Sequence, residues 1–87
     1  MAMDLQKQLY LLKELEVLVT RLDIHVRYEH LADAHSGLCM LKGAAYLIID
    51  TDTAEEEKLG IFKSVLAGRD LSNIYLPPAV REFLSGA

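Results

Sequence analysis

The residues best suited to chemistry lie between positions 25 and 39, a segment that holds all three histidines and the only cysteine. Imidazole and thiolate groups are zinc ligands, and His30, Asp33 and His35 are close enough in sequence to converge in one loop. Their spacing matches no established zinc signature. We therefore expect surface histidines and a core cysteine at Cys39, and we keep a metal site in the His30/Asp33/His35 loop as the alternative.

A second group of candidate ligands is acidic. Asp50 and Asp52 follow an apolar segment, and three glutamates follow at 55–57. Carboxylates suit Mg²⁺ or Ca²⁺, although the spacing of an EF-hand is missing. The glutamates are also the residues expected in the first turn of a helix, where the helix dipole favours negative charge. The Asp50/Asp52 pair therefore stays a second candidate metal site.

The segment 46–53 joins four apolar residues to Asp50, Asp52 and Thr53. It resembles the first motif of haloacid-dehalogenase-type phosphatases, which implies a nucleophilic aspartate and a bound Mg²⁺. The remaining chain contains no further strand followed by an acidic residue, which that family requires. We interpret the segment as a strand, a turn and a helix start, with Thr53 and Glu56 forming a capping box. With no complete catalytic motif, the sequence predicts a non-enzymatic protein with no catalytic residues and no cofactor.

Apolar periodicity predicts the elements that position these groups. The seven-residue spacing of Leu5, Leu12 and Val19 predicts a helix over 4–22 with Asp4 as its N-cap. Alternation predicts a strand over 24–30. Further strands are predicted at about 38–42 and 45–49, a helix at 54–67 ending at Gly68, and a short last helix with Pro77 and Pro78 in its first turn. The third strand is continuously apolar, which is typical of a central strand.

The predicted order is α-β-β-β-α-α, with short links between the strands. Short links favour an antiparallel meander. The sequence therefore predicts one α+β domain over residues 1–87, with a three-stranded antiparallel meander and the helices packed on one of its faces.

The chain combines small size with a high apolar content, at 87 residues, 52% hydrophobic residues and a mean hydropathy of +0.18. Small domains bury a smaller fraction of their surface than large ones, so an apolar excess indicates an interface. We expect a homodimer or docking on a larger protein. The interface candidates are Leu5, Leu9, Leu12, Leu15, Val19, Tyr75 and Phe83.

Charge and hydropathy narrow the partners and the compartment. The net charge of −4 argues against nucleic acid and against anionic membrane surfaces. The sequence shows neither a signal peptide nor an apolar run long enough for a membrane helix. A single cysteine suits a reducing compartment, so we expect a cytoplasmic protein.

The element order resembles the ImmA/IrrE-type zinc-peptidase scaffold, and the alternation of Ile24, Val26 and Tyr28 matches one of its strands. In that family the helix corresponding to 57–66 carries His-Glu-x-x-His, whereas this stretch has no histidine. The resemblance therefore implies an inactive relative retained for its surface. The C-terminal segment 75–84 also resembles a segment of a small bacterial protein family. We predict a protein-interaction or oligomerisation module, with a small metal- or ligand-binding protein as the alternative.

Overall fold

The computed structural model describes residues 3–32 and 35–85. Within these ranges the chain forms three helices and three strands in the predicted α-β-β-β-α-α order, which confirms a small α+β domain. The elements are α1 (Leu5–Arg21), β1 (Ile24–Glu29), β2 (Gly37–Leu41), β3 (Ala44–Asp50), α2 (Glu55–Leu66) and α3 (Pro78–Leu84).

The start of α1 and the end of α2 agree with the sequence prediction, and the start of α2 differs from it. The Oδ1 atom of Asp4 accepts a hydrogen bond from the Lys7 amide at 2.8 Å, which confirms the N-cap of α1. Gly68 adopts a φ of 78° just after α2, as expected for a helix stop. The predicted capping box at Thr53 is wrong, because α2 starts one residue later at an Ala54 cap without a side-chain hydrogen bond.

None of the helices within the described residues has the length and apolar character needed to cross a membrane.

The three strands lie in the order β1-β3-β2. β3 is the central strand, as its apolar sequence predicts; it pairs antiparallel with β2 and parallel with β1. The predicted antiparallel meander is therefore wrong for β1. β1 ends at Glu29 and β2 begins at Gly37 on the far side of β3, so the most apolar strand takes the centre. A two-residue turn then joins β2 to β3, with φ of 51° at Lys42 and 82° at Gly43.

The core joins one face of the sheet to the helices. In the strand register Val26 lies beside Leu47 and Tyr28 beside Ile49, so these side chains share a face with Ile24. Ile24, Leu47 and Ile49 belong to one buried cluster with residues of all three helices. Its helical members are Leu11, Leu12, Leu15, Leu18, Val19, Leu59, Phe62, Leu66 and Val80.

Candidate functional site

Three of the seven predicted interface residues lie inside the protomer. Leu12, Leu15 and Val19 are at most 7% exposed and belong to the core cluster. The broad apolar stripe of α1 is therefore used mainly to pack the helix against its own sheet and against α2. These three side chains have no surface to offer to a second chain.

The remaining candidates lie at the surface or close to it. Leu5 and Leu9 are about half exposed, and Tyr75, at 74%, is the most exposed large hydrophobic residue among those that the structure describes. Phe83 is partly buried, and the Lys63 ammonium lies 5.2 Å from the centre of its ring. Leu5, Leu9 and Tyr75 therefore remain available for contact with a partner.

The structure reveals an apolar surface on β2 that the sequence analysis did not select. Leu38, Met40 and Leu41 are 44%, 64% and 50% exposed, so most of this five-residue strand is apolar and accessible. Among the described residues β2 pairs only with β3, which leaves its other edge open. An apolar strand with an open edge is a template for pairing with another chain. The absence of charged residues between 37 and 41 is the sequence signal that could have indicated it.

The turn geometry determines which backbone groups of β2 lie on the open edge. In a two-residue hairpin the residues flanking the turn form a hydrogen-bonded pair, here Leu41 with Ala44. Because hydrogen-bonded and non-hydrogen-bonded pairs alternate, Cys39 also directs its N–H and C=O towards β3. Leu38 and Met40 therefore direct theirs away from the sheet. We refer to these outward backbone groups, with the side chains of Leu38, Met40 and Leu41, as the β2 edge.

The face of the sheet that points away from the helices carries a small aromatic cluster rather than a reactive site. The rings of His25 and Tyr46 stack with their centres 5.0 Å apart. The Arg27 guanidinium lies 5.9 Å from the centre of the Tyr46 ring. Cys39 is the register partner of Tyr46 on the other side and is partly buried. His25 therefore has a packing role, separate from the other candidate ligands.

Three of the predicted metal ligands converge at the ends of the two parallel strands. His30 follows β1, and Asp50 is the last residue of β3, so parallel pairing brings them to one edge of the sheet. One ligand atom from each of His30, Asp50 and Asp52 lies within 4.8 Å of the other two. We call these three residues the His30 cluster. His35 is exposed and is not among them, and Asp33 lies outside the described residues.

The His30 cluster is held by hydrogen bonds within an exposed turn. The Nδ1 atom of His30 lies 3.1 Å from Oδ2 of Asp52. The Asp52 amide donates to Oδ1 of Asp50 at 3.0 Å, and the Asp50 amide donates to the Ser36 hydroxyl oxygen at 2.8 Å. Loop 30–36 and the turn after β3 are thus tied together at this point.

One ionisable group of β1 has a perturbed pKa. Burial raises the pKa of the Tyr28 hydroxyl above its usual range, and the hydrogen bond and negative charge of Glu16 raise it further. Tyr28 lies on the helix side of the sheet, and the Lys58 ammonium is 5.4 Å from the centre of its ring. This shift reflects contacts between β1 and the helices and is remote from the β2 edge.

No protein-family model matches the chain. No curated protein and no solved structure matches it either. The likeness to the zinc-peptidase scaffold thus stays a prediction from element order, and function has to be inferred from residues and geometry.

Proposed function

We propose that the chain is a non-enzymatic oligomerisation module that forms a homodimer by antiparallel pairing of two β2 edges across a two-fold axis. The observation that supports this is the exposure of Leu38, Met40 and Leu41 along a strand whose outer backbone groups have no partner strand among the described residues. Pairing would satisfy those groups and bury apolar side chains in the same step.

The outward groups favour one register. Leu38 and Met40 of one copy are placed opposite Met40 and Leu38 of the second copy, so every outward-facing residue of both strands is used. Cys39 then lies opposite Cys39 of the second copy. The two three-stranded sheets become one continuous six-stranded sheet, and the interface is isologous, as in most homodimers.

The helix side of β2 offers room for the side chains of a second copy. A groove between β2 and α2 is lined by Leu38, Gly60, Ile61 and Ser64, among others. Leu38 and Met40 point to this side of the sheet, because their register partners are Leu47 and Ala45. Met40 of the second copy would therefore lie beside this groove and cover part of it.

The α1 surface is a less favourable dimer interface. Its exposed apolar residues fall on two flanks: Leu5 and Leu9 on one, and Tyr10 and Val17 roughly 110° away around the helix. Neither flank provides unpaired backbone groups. The β2 edge combines exposed apolar side chains with backbone donors and acceptors.

Absolute mass in solution tests the proposal. Light scattering should give about twice the 9.7 kDa chain mass, and the double variant Leu38→Lys/Met40→Lys should return the mass of one chain because like charges then face each other across the strand pair. The matched control is Leu5→Lys/Leu9→Lys, which adds the same charge to α1 and should leave the dimer intact. A single-chain mass for the wild type at high concentration contradicts the proposal, as does dissociation by the α1 variant alone.

Cysteine cross-linking tests the register separately from the mass. Opposed residues in a non-hydrogen-bonded antiparallel pair have Cα atoms about 4.5 Å apart, inside the ~4.4–6.8 Å range of disulfides. Mild oxidation should therefore link Cys39 to Cys39 of the second copy, and Leu38→Lys/Met40→Lys should prevent the link. If the protein is a dimer but its Cys39 thiols do not cross-link, the oligomerisation proposal stands and this register is wrong.

A further inference from the structure

We propose that the His30 cluster is a binding site for a divalent transition-metal cation such as Zn²⁺ or Mn²⁺, independent of the β2 edge. The imidazole of His30 and the carboxylates of Asp50 and Asp52 supply three ligand atoms within 4.8 Å of one another. In a tetrahedral zinc site with bonds of about 2.1 Å, ligand atoms are about 3.4 Å apart. Closing the remaining difference takes small side-chain rotations, for which His30 and Asp52 are exposed and Asp50 is half-buried.

The backbone that carries these ligands is held on several sides. The Thr51 amide donates to the Glu29 carbonyl at 3.1 Å, which ties the turn after β3 to the end of β1. The Asp52 amide occupies Oδ1 of Asp50, so the other carboxylate oxygen of Asp50 stays available to a metal. The three ligands therefore come from two strand ends whose relative position the sheet already sets.

The donor set indicates the class of metal. One nitrogen and two oxygen ligands suit Zn²⁺ or Mn²⁺ better than Mg²⁺ or Ca²⁺, which prefer oxygen alone. Three protein ligands leave positions for water, as in open zinc sites. The metal would replace the contact between Nδ1 of His30 and Oδ2 of Asp52, whose side chains are both 72% exposed.

The surrounding charge favours a cation. Glu29 is the register neighbour of Asp50, which adds a third carboxylate beside the cluster. Arg27 forms its ion pair with Glu29, at 3.1 Å between Nε and Oε2, rather than with either aspartate. Among the ion pairs of the described residues, Asp52 has only the His30 imidazole as a partner, and Asp50 takes part in none.

Calorimetric titration of tag-free protein with ZnCl₂ and MnCl₂ tests the site. We expect saturable binding of one ion per chain, weakened at least about tenfold by each of His30→Ala, Asp50→Asn and Asp52→Asn. His25→Ala and His35→Ala are the matched controls and should bind as the wild type does.

Line broadening by Mn²⁺ in amide NMR spectra provides a second readout, with the largest losses expected at residues 29–32 and 50–53. The proposal is overturned if no saturable binding occurs, if His35→Ala rather than His30→Ala abolishes it, or if Mg²⁺ binds as tightly as Zn²⁺ in both wild type and His30→Ala. Circular dichroism of each variant distinguishes loss of ligand from loss of fold. The Leu38→Lys/Met40→Lys variant should keep its metal affinity, so failure of either proposal leaves the other intact.

Discussion

β1 and β2 are the two edge strands of the sheet, but the exposed side chains of β1 include charged residues and those of β2 are apolar. β1 directs Ile24, only 2% exposed, into the core and presents the charged side chains of Arg27 and Glu29 on its other face. β2 has no buried residue and presents Met40 and its apolar neighbours to the surface. Charged residues protect strand edges against association. The comparison indicates that β1 is fixed within the protomer, whereas β2 is available to a second chain.

Helix packing explains the difference. α1 contacts β1, α2 and α3, whereas the main contacts of β2 are with β3. On the helix side of β1 Ile24 is buried and Val26 is partly buried, whereas on the same side of β2 both Leu38 and Met40 are exposed. Met40 is 64% exposed even though its register partner Ala45 packs against the core.

Shortening Ile24 should produce the largest effect. Ile24→Ala leaves a cavity in the core and should lower the free energy of unfolding by about 2–5 kcal/mol. On the other edge strand, Leu41→Ala should cost less than about 1 kcal/mol, because Leu41 is half exposed. Urea denaturation at a concentration low enough to avoid dimers measures both. Equal losses would show that β2 is anchored as firmly as β1.

Removing the charges of β1 should allow its edge to associate with another chain, as we propose for β2. Arg27→Val/Glu29→Val leaves the net charge unchanged and makes the β1 edge apolar, so we expect association beyond the dimer, measured by light scattering. An association constant at least about tenfold higher corresponds to about 1.4 kcal/mol. Lys13→Val/Glu14→Val makes the same exchange on α1 and should change the mass little. An unchanged mass for the β1 variant would show that charge does not protect this edge.

Alkaline pH should loosen β1 through Tyr28. The pKa of Tyr28 is raised in the folded state, so its contribution to stability is complete below the ordinary tyrosine value of about 10 and is lost as pH rises above it. Wild-type stability should therefore fall above about pH 10 more steeply than that of Tyr28→Phe. Denaturation at a series of pH values measures the difference, with Tyr75→Phe, at an exposed tyrosine, as control. Parallel curves for wild type and Tyr28→Phe would contradict the assignment.

Local patterns predicted the elements and the centre of the sheet but not its topology. The Asp4 cap, the alternation of β1 and the apolar run of β3 each depend on neighbours in sequence. The partner of β1 depends on which side of β3 the chain places β2, and a meander satisfies the same alternation as the observed parallel pairing. A connection that crosses a strand end leaves no periodic signal.

The sequence predicts the residues of the His30 cluster but not those of the β2 edge, because both sites depend on how the elements pack. His30, Asp50 and Asp52 were each selected from the sequence, but in two separate groups, because only the parallel pairing of β1 with β3 unites them. The β2 edge was missed because exposure depends on how far the helices extend over the sheet. In the apolar stripe of α1, by contrast, Leu15 and its neighbours are buried in the protomer, which the periodicity alone does not distinguish from exposure.

The smallest effect we expect concerns the turn that sets the register of β2. Lys42 has a φ of 51°, a left-handed conformation that Asn tolerates better than Lys, and Asn-Gly is the preferred pair for such two-residue turns. Lys42→Asn should therefore raise the free energy of unfolding by about 0.5 kcal/mol. Lys42→Ala removes the same charge without the conformational gain and should not stabilise. If both variants stabilise equally, the charge of Lys42 rather than its backbone conformation limits the stability of the β2–β3 hairpin. A charge at the end of β2 would then oppose association of its edge, as the charges along β1 do.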